Sequence, residues 1–246
     1  MAEAEHIQWR THAFQGELSG RLAFSSVSSG KYMAPYFIAD FIKQNAHVEI
    51  QMDVTNKALV IESLRSNAVD FSFVSILPDS VRCDYIELVQ NQLFLVGPAE
   101  FQQRNNKYDI SIFSELPLIY RERGSGTRHV LERFLQKHRM DVKAKMELTS
   151  NEAVKQAVIA GLGFSIMPLI GIKNELQNGQ LKIIPVKGFP IFSQWFLIWQ
   201  KDKRLSPLAA AYLNYVREEK QKIMSTRFGW YEDFALKKSN GLFLSP

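Results

Sequence analysis

Residues 116–134 read LPLIYRERGSGTRHVLERF, and this stretch decides how the chain is built. The apolar run LPLIY ends in an aromatic residue and predicts a short buried strand. Val130, Leu131, Phe134 and Leu135 recur at helical spacing, so a helix follows. Between them lie Gly124-Ser125-Gly126-Thr127-Arg128, with two glycines and two hydroxyl residues directly in front of the helix. A strand, a glycine-rich turn and a helix start bring backbone N–H groups to one point, where an anion can be held. The same residues also make a plain capped turn with nothing bound, and the rest of the chain has to choose.

On the amino-terminal side, GRLAFSSV (20–27) predicts a strand that runs through Ser25-Ser26-Val27-Ser28-Ser29-Gly30 into a helix over 32–45. In that helix Met33, Tyr36, Phe37, Phe41 and Ile42 share one side. HVEIQMDV (47–54) alternates as a strand does, and NKALVIESLRSNA (56–68) is amphipathic with Leu59, Val60 and Leu64 inward. VDFSFVSI (69–76) is a third strand. The order β-α-β-α-β implies a mostly parallel sheet with helices on both faces.

The carboxy-terminal side repeats the theme. YIELVQNQLFLVGP (85–98) predicts two strands, and TRHVLERFLQKH (127–138) a helix before the strand KAKMEL (143–148). In TSNEAVKQAVIAGLG (149–163), Thr149 followed by Glu152 is a capping-box pattern, and Gly161 or Gly163 supplies a left-handed stop. FSIMP (164–168), a short helix over 170–179, strands at LKIIPV and at 192–200, and a last helix over 206–223 complete the chain. Pro207 suits the first turn of that helix. Phe196, Leu197 and Ile198 read as a buried crossover strand. The expected architecture is α/β, two Rossmann-like lobes, with the chain crossing between them near 94–98 and 191–197. Residues 17–97 with 197–223 form lobe I, 98–196 lobe II, 1–16 a helical end of a linker, and 224–246 a carboxy-terminal extension.

The 246 residues suffice for two lobes, and 46% hydrophobic with 22% charged residues is a globular composition. One cysteine, Cys83, excludes an internal disulfide and fits a reducing, cytoplasmic setting. No apolar stretch approaches the roughly 20 residues that span a bilayer, and the amino terminus has no secretory apolar core. A net charge of +5 with scattered lysines and arginines does not make a nucleic-acid surface. GxSxG, HExxH, CxxC and a phosphate-loop lysine are all absent, so no active site is legible and neither cofactor nor metal is expected. His129 and His138 read as surface residues, Asp70 as the residue that orders the turn before the third strand. Cys83 reads as a bystander rather than an activated thiol.

Three hydroxyl-rich turns then share one context: Ser28-Ser29, Ser125-Gly126-Thr127, and Thr149-Ser150-Asn151 each follow a strand and open a helix. In an open α/β sheet, ligands sit beyond the carboxyl ends of the strands, where these turns lie. Each helix start offers unpaired N–H donors, and each hydroxyl a rotatable donor. Capping alone explains any one turn. Three converging turns make a cleft that suits an oxyanion or carboxylate, although hydroxyls also suit a sugar or a nucleotide, with Arg121 and Arg123 contributing positive field or serving the surface or a dimer contact.

The segments GELSGRLAFSSVSSGKYMAPYFIADF, NAVDFSFVSI, RERGSGTR and LTSNEAVKQAVIAGLGFSIMP together resemble the effector-binding domain of LysR-type transcriptional regulators, over roughly residues 17–222. The similarity is greatest to the branch associated with carbon fixation and sulfur or nitrogen metabolism. The resemblance implies a periplasmic-binding-protein-like fold (type 2) with a small-molecule effector between lobes. It places effector contacts at Ser28, Ser29, Ser75, Ser125, Gly126, Thr127, Ser150, Asn151 and Phe164. It also implies a homodimer, or a tetramer in a full-length parent, and DNA binding only through an amino-terminal winged helix-turn-helix that this chain does not show. That departure points to a truncated chain, and the tail after 222 has no counterpart in the family pattern. Two rivals share the architecture: a transporter's solute-binding protein, which needs export, and an enzyme, which needs a catalytic group in the cleft.

Overall fold

The computed structural model describes residues 17–231 and residue 234, so the linker-like helix expected over 2–16 lies outside the described residues. The first unit is the expected one: β1 (Ser19–Val27), α1 (Ala34–Gln44), β2 (His47–Thr55), α2 (Lys57–Arg65) and β3 (Phe71–Val74). β1 pairs in parallel with β2 along its whole length and with β3, placing Val27 beside Thr55. Leu22 and Phe24 of β1, Phe71 and Phe73 of β3, and Phe37 and Phe41 of α1 close a core with Tyr212.

Several boundaries moved for local reasons. The turn after β1 winds first into a 3-10 turn, Gly30–Tyr32, and α1 starts only at Ala34. Pro35 sits in the first turn of α1, where its missing N–H costs nothing, and this sets the start. In α2, Val60 and Leu64 are buried as expected, but Leu59 is 55% exposed because it lies a third of a turn off their face. Asp70 orders its turn as expected, accepting from the Ala23 N–H at 3.0 Å and from Lys203 Nζ at 3.1 Å.

Residues 83–98 form one strand, β4 (Cys83–Pro98), where two were expected. Its register shifts between Glu87 and Gln90, a bulge that bends the strand without ending it. Before the bulge β4 pairs with β9 (Ile191–Gln200) next to β3, and after it with β9, β7 (Ser165–Pro168) and β8 (Leu181–Ile183). The sheet therefore runs β2-β1-β3-β9-β4-β7 with β8 off β4, parallel at one end and antiparallel from β9 onward. The mostly parallel sheet expected from the sequence is thus a mixed, curled one, since β4 and β9 return in opposite directions.

The second lobe adds the short α3 (Ile112–Glu115), β5 (Ile119–Arg121), α4 (Gly126–Lys137), β6 (Met146–Leu148) and α5 (Asn151–Ile159). β5 and β6 are parallel, with Arg121 beside Leu148. Gly161, at φ 76°, ends α5. The cap of α5 is Ser150 rather than Thr149, because the helix begins one residue later than the capping-box pattern implies. α6 (Lys173–Gln177) follows β7.

α7 (Pro207–Phe228) packs on α1 and runs five residues past the expected end at 223. Phe228 lies against the rings of Tyr36 and Phe37, Tyr231 is buried, and Lys173 Nζ stands 4.5 Å from the Trp230 ring centre. The described part of the extension thus docks on both the first helix and the segment after β7.

Candidate functional site

The carboxyl ends of two parallel strand pairs, β1–β2 and β5–β6, meet at one cleft. Because β1 and β2 pair in register at Val27 and Thr55, the turns Ser28-Ser29 and Asn56-Lys57 emerge side by side. Because β5 and β6 pair at Arg121 and Leu148, the turns starting at Glu122 and Thr149 emerge side by side facing them. The Glu122 N–H donates to the Leu148 carbonyl at 3.2 Å and ties the second pair together. The wider part of the cleft, about 240 Å³, is lined by Ser28, Val54, Thr55, Asn56, Glu122, Thr149 and Ser150. Its narrow end adds Val27, Ser29, Lys57, Arg121, Gly124, Ser125 and Gly126.

Five of the nine expected effector contacts therefore line the cleft: Ser28, Ser29, Ser125, Gly126 and Ser150. Ser75 stands behind it. A Cβ on Gly126 would lie 2.5 Å from the Ser75 hydroxyl, so glycine lets the start of α4 approach the end of β3. The other glycine of the motif, Gly124, takes φ 87°, the left-handed turn that aims the chain into α4. Thr127 is buried and outside the lining. Asn151 is also buried, its Oδ1 accepting from Arg121 Nη1, while its Nδ2 has no protein partner. Phe164 belongs to the interior of the second lobe, its ring 5.0 Å from that of Phe101 and close over Gly97.

The helix starts around the cleft are not equivalent. Asn56 caps α2 by accepting from the Leu59 N–H at 3.0 Å, and Ser150 caps α5 through the Ala153 N–H at 3.0 Å. α5 also carries Glu152 in its first turn. Ser125 makes no such bond, and the first turn of α4 has no acidic residue. The partial positive charge of that helix end, about half an elementary charge, is left facing the cleft.

Arg121 does not supply free positive charge. Its guanidinium, 4% exposed, donates to Glu122 at 2.8 and 2.9 Å, to Asn151 and to the Thr149 carbonyl at 3.4 Å. Arg123 is exposed and lies outside the lining. Sequence reasoning missed Thr55, Asn56, Lys57 and Glu122. The signal for Asn56-Lys57 was present as a fourth strand-to-helix turn, but that turn holds a single hydroxyl, Thr55. Cys83 opens β4, and burial with the nearby Asp84 pushes its thiol up, away from an activated thiolate. Among the described residues no cluster of His, Cys, Asp and Glu has metal-binding geometry, and no helix is long and apolar enough to cross a membrane.

Comparison with known proteins now bears on this geometry. The LysR substrate binding domain family matches residues 15–221. The transcriptional activator CmpR of Synechocystis is 34% identical over 203 residues, covering 82% of this chain and 67% of that protein. The RuBisCO operon transcriptional regulator of Allochromatium vinosum is 33% identical over 218 residues, covering 88% and 72%. Among solved structures, the regulatory domain of Synechocystis CcmR in complex with 2-PG superposes with a TM-score of 0.77 at 28% identity, covering 82% and 98%. The effector binding domain of QuiR in complex with shikimate reaches 0.73 at 17% identity, a likeness of fold. These relatives are transcriptional regulators and not enzymes, and they do not favour the transporter reading. A two-lobed cleft at the carboxyl ends of its strands, matched over residues 15–221, makes this chain a member of the LysR substrate-binding domain family, the effector-binding part of LysR-type transcriptional regulators.

Proposed function

We propose that the cleft senses a small anionic metabolite seated on the start of α4. The observation that carries this reading is that α4 alone among the three cleft-lining α-helix starts leaves its cap unmade and its first turn without an acid. Ser28 and Ser29 face it across the narrow end, with Lys57 beside them. In this reading Ser28, Ser29, Ser125 and Gly126 contact the anion. Ser75, Thr127 and Asn151 hold the wall from behind, Ser150 shapes the wide end, and Phe164 supports the lobe. Charge-assisted hydrogen bonds contribute about 1.5–3 kcal/mol each, so three or four supply about 4.5–12 kcal/mol against ordering costs, and only the upper end of that range reaches micromolar affinity, about 8 kcal/mol. The 2-PG held by the CcmR regulatory domain supports an anion in this class of cleft.

The chain acts without catalysis, in the cytoplasm, as a homodimer whose arrangement answers the effector and reaches DNA through a DNA-binding segment of the parent protein. Residues 17–97 with 197–223 and residues 98–196 would move as the two lobes. An effector preferring one arrangement by about 1–3 kcal/mol is enough for such coupling. The test is a thermal-shift screen of small metabolite anions on the wild-type chain, Ser125→Ala and Ser28→Ala. A compound that raises the melting temperature of the wild type and less that of either variant is expected. Equal stabilisation of all three proteins would put the site elsewhere.

A further inference from the structure

The cleft has two chemical poles, and Glu122 is the second. Both oxygens of its carboxylate already accept from Arg121, at 2.8 and 2.9 Å, which cancels the arginine's charge at that wall. Arg121 in turn is 4% exposed and gives two further donors to Asn151 and the Thr149 carbonyl. The bidentate face of Arg121 is therefore occupied by Glu122, and a ligand anion could take that face only by displacing the carboxylate. Each carboxylate oxygen has a second acceptor direction, however. Glu122 is 17% exposed on its side chain and lines both the narrow and the wide part of the cleft. What it shows a ligand is acceptor-only surface.

From this we infer that Glu122 is a specificity-determining residue that selects hydroxylated anions. The inference rests on the effector reading above. The anionic end of the ligand lies on Ser125 and Gly126, and a hydroxyl at its other end donates to Glu122. An anion without that hydroxyl has no donor to offer the carboxylate and leaves its oxygens unbonded. Arg121 serves as the clamp that fixes Glu122 in place.

The experiment measures dissociation constants by calorimetry for three matched pairs: malate and succinate, citrate and tricarballylate, 3-phosphoglycerate and 3-phosphooxypropanoate. In each pair the second compound lacks only the hydroxyl. For every pair that binds wild type, the hydroxylated member is expected to bind at least fivefold tighter. Glu122→Gln should bring the two members within twofold, chiefly by removing the charge-assisted bond to the hydroxyl. Glu122→Asp, which keeps the carboxylate, should restore the preference. Melting temperatures of both unliganded variants check that each is folded. A preference that survives Glu122→Gln, or none in wild type, overturns the role of Glu122. In that case Ser125→Ala still weakens every binder if the cleft reading is right. Binding that Ser125→Ala and Ser28→Ala leave unchanged, or no binding of any of the six compounds, overturns the cleft reading and this inference with it.

Discussion

α4 and α5 begin alike in the sequence and differently in the fold. Both follow a short strand, both are entered through a serine, and both strands belong to the same parallel pair. Ser150 turns its hydroxyl onto the Ala153 N–H, and Glu152 places a carboxylate in the same first turn. The start of α5 is satisfied by its own residues. Ser125 stays unbonded to α4, whose first turn carries Arg128 instead of an acid, and Arg128 points away to Glu132 and Glu147. One helix start is a finished piece of structure and the other is a donor surface. A hydroxyl before a helix is thus no evidence of ligand binding until its partner is known.

Four predictions test that contrast. The largest effect is expected at Gly126→Ala, because the new Cβ would lie 2.5 Å from the Ser75 hydroxyl and push α4 off its place. Overpacking of this kind costs about 1–3 kcal/mol. Urea unfolding should register that loss together with anion affinity lowered by about tenfold or more; unchanged affinity would disconnect the α4 start from binding. Ser125→Ala should next lower anion affinity about tenfold, the worth of one charge-assisted hydrogen bond, with stability altered by less than about 0.5 kcal/mol. If that substitution instead destabilises the free protein by a full cap's worth, Ser125 is an ordinary cap and the contrast is lost.

Ser150→Ala should do the reverse. Losing the bond to Ala153 costs about 1 kcal/mol in stability, while affinity for the anion shifts by less than about threefold. A large affinity loss in that variant would move the binding surface to α5.

The smallest effect concerns pH. Lys155 of α5 bonds Glu175 at 2.7 Å and Glu152 at 3.1 Å. Burial by itself would lower the lysine, but the two carboxylates outweigh it and the group is raised. Burial likewise would raise Glu152, and its bond to Lys155 outweighs that, leaving it lowered. The raised lysine stabilises fully below its unfolded range, near pH 10.4, and loses this as pH rises through its folded value. The lowered glutamate stabilises above about pH 4.3 and loses this as pH falls through its folded value. The stability deficit of Lys155→Met should accordingly be level across neutral pH and shrink below about pH 4. Unfolding midpoints that show the same deficit at pH 3 and pH 7 would remove these pairs as its cause.

Much of the molecule is legible in the sequence. Strand alternation and helical spacing placed the first β-α-β-α-β unit, and the punctuation of α5 placed the GLG stop, because both are local consequences of backbone geometry. Residues 85–98 read as two strands in the sequence because the polar interruption at the bulge, Gln90-Asn91-Gln92, looks like a break. Leu59 was misplaced because an amphipathic face is resolved only to within about one residue, or 100°. Among the candidate site residues, type and neighbourhood identified Ser28, Ser29, Ser125, Gly126 and Ser150 as cleft residues. They could not separate these from Ser75, Thr127 and Asn151, one layer behind.

The sequence by itself determined the α/β alternation, the family, and the positions of the glycine-rich and hydroxyl-rich turns, all of which depend on residues near one another in the chain. Tertiary structure alone decided which hydroxyl caps its own helix, which arginine is already neutralised, and which turns face each other. Those outcomes depend on the pairing of Val27 with Thr55 and of Arg121 with Leu148, and on the closeness of Gly126 to Ser75. Contacts between residues far apart in the chain set where a donor points, and a donor's partner decides whether it belongs to the fold or to the ligand.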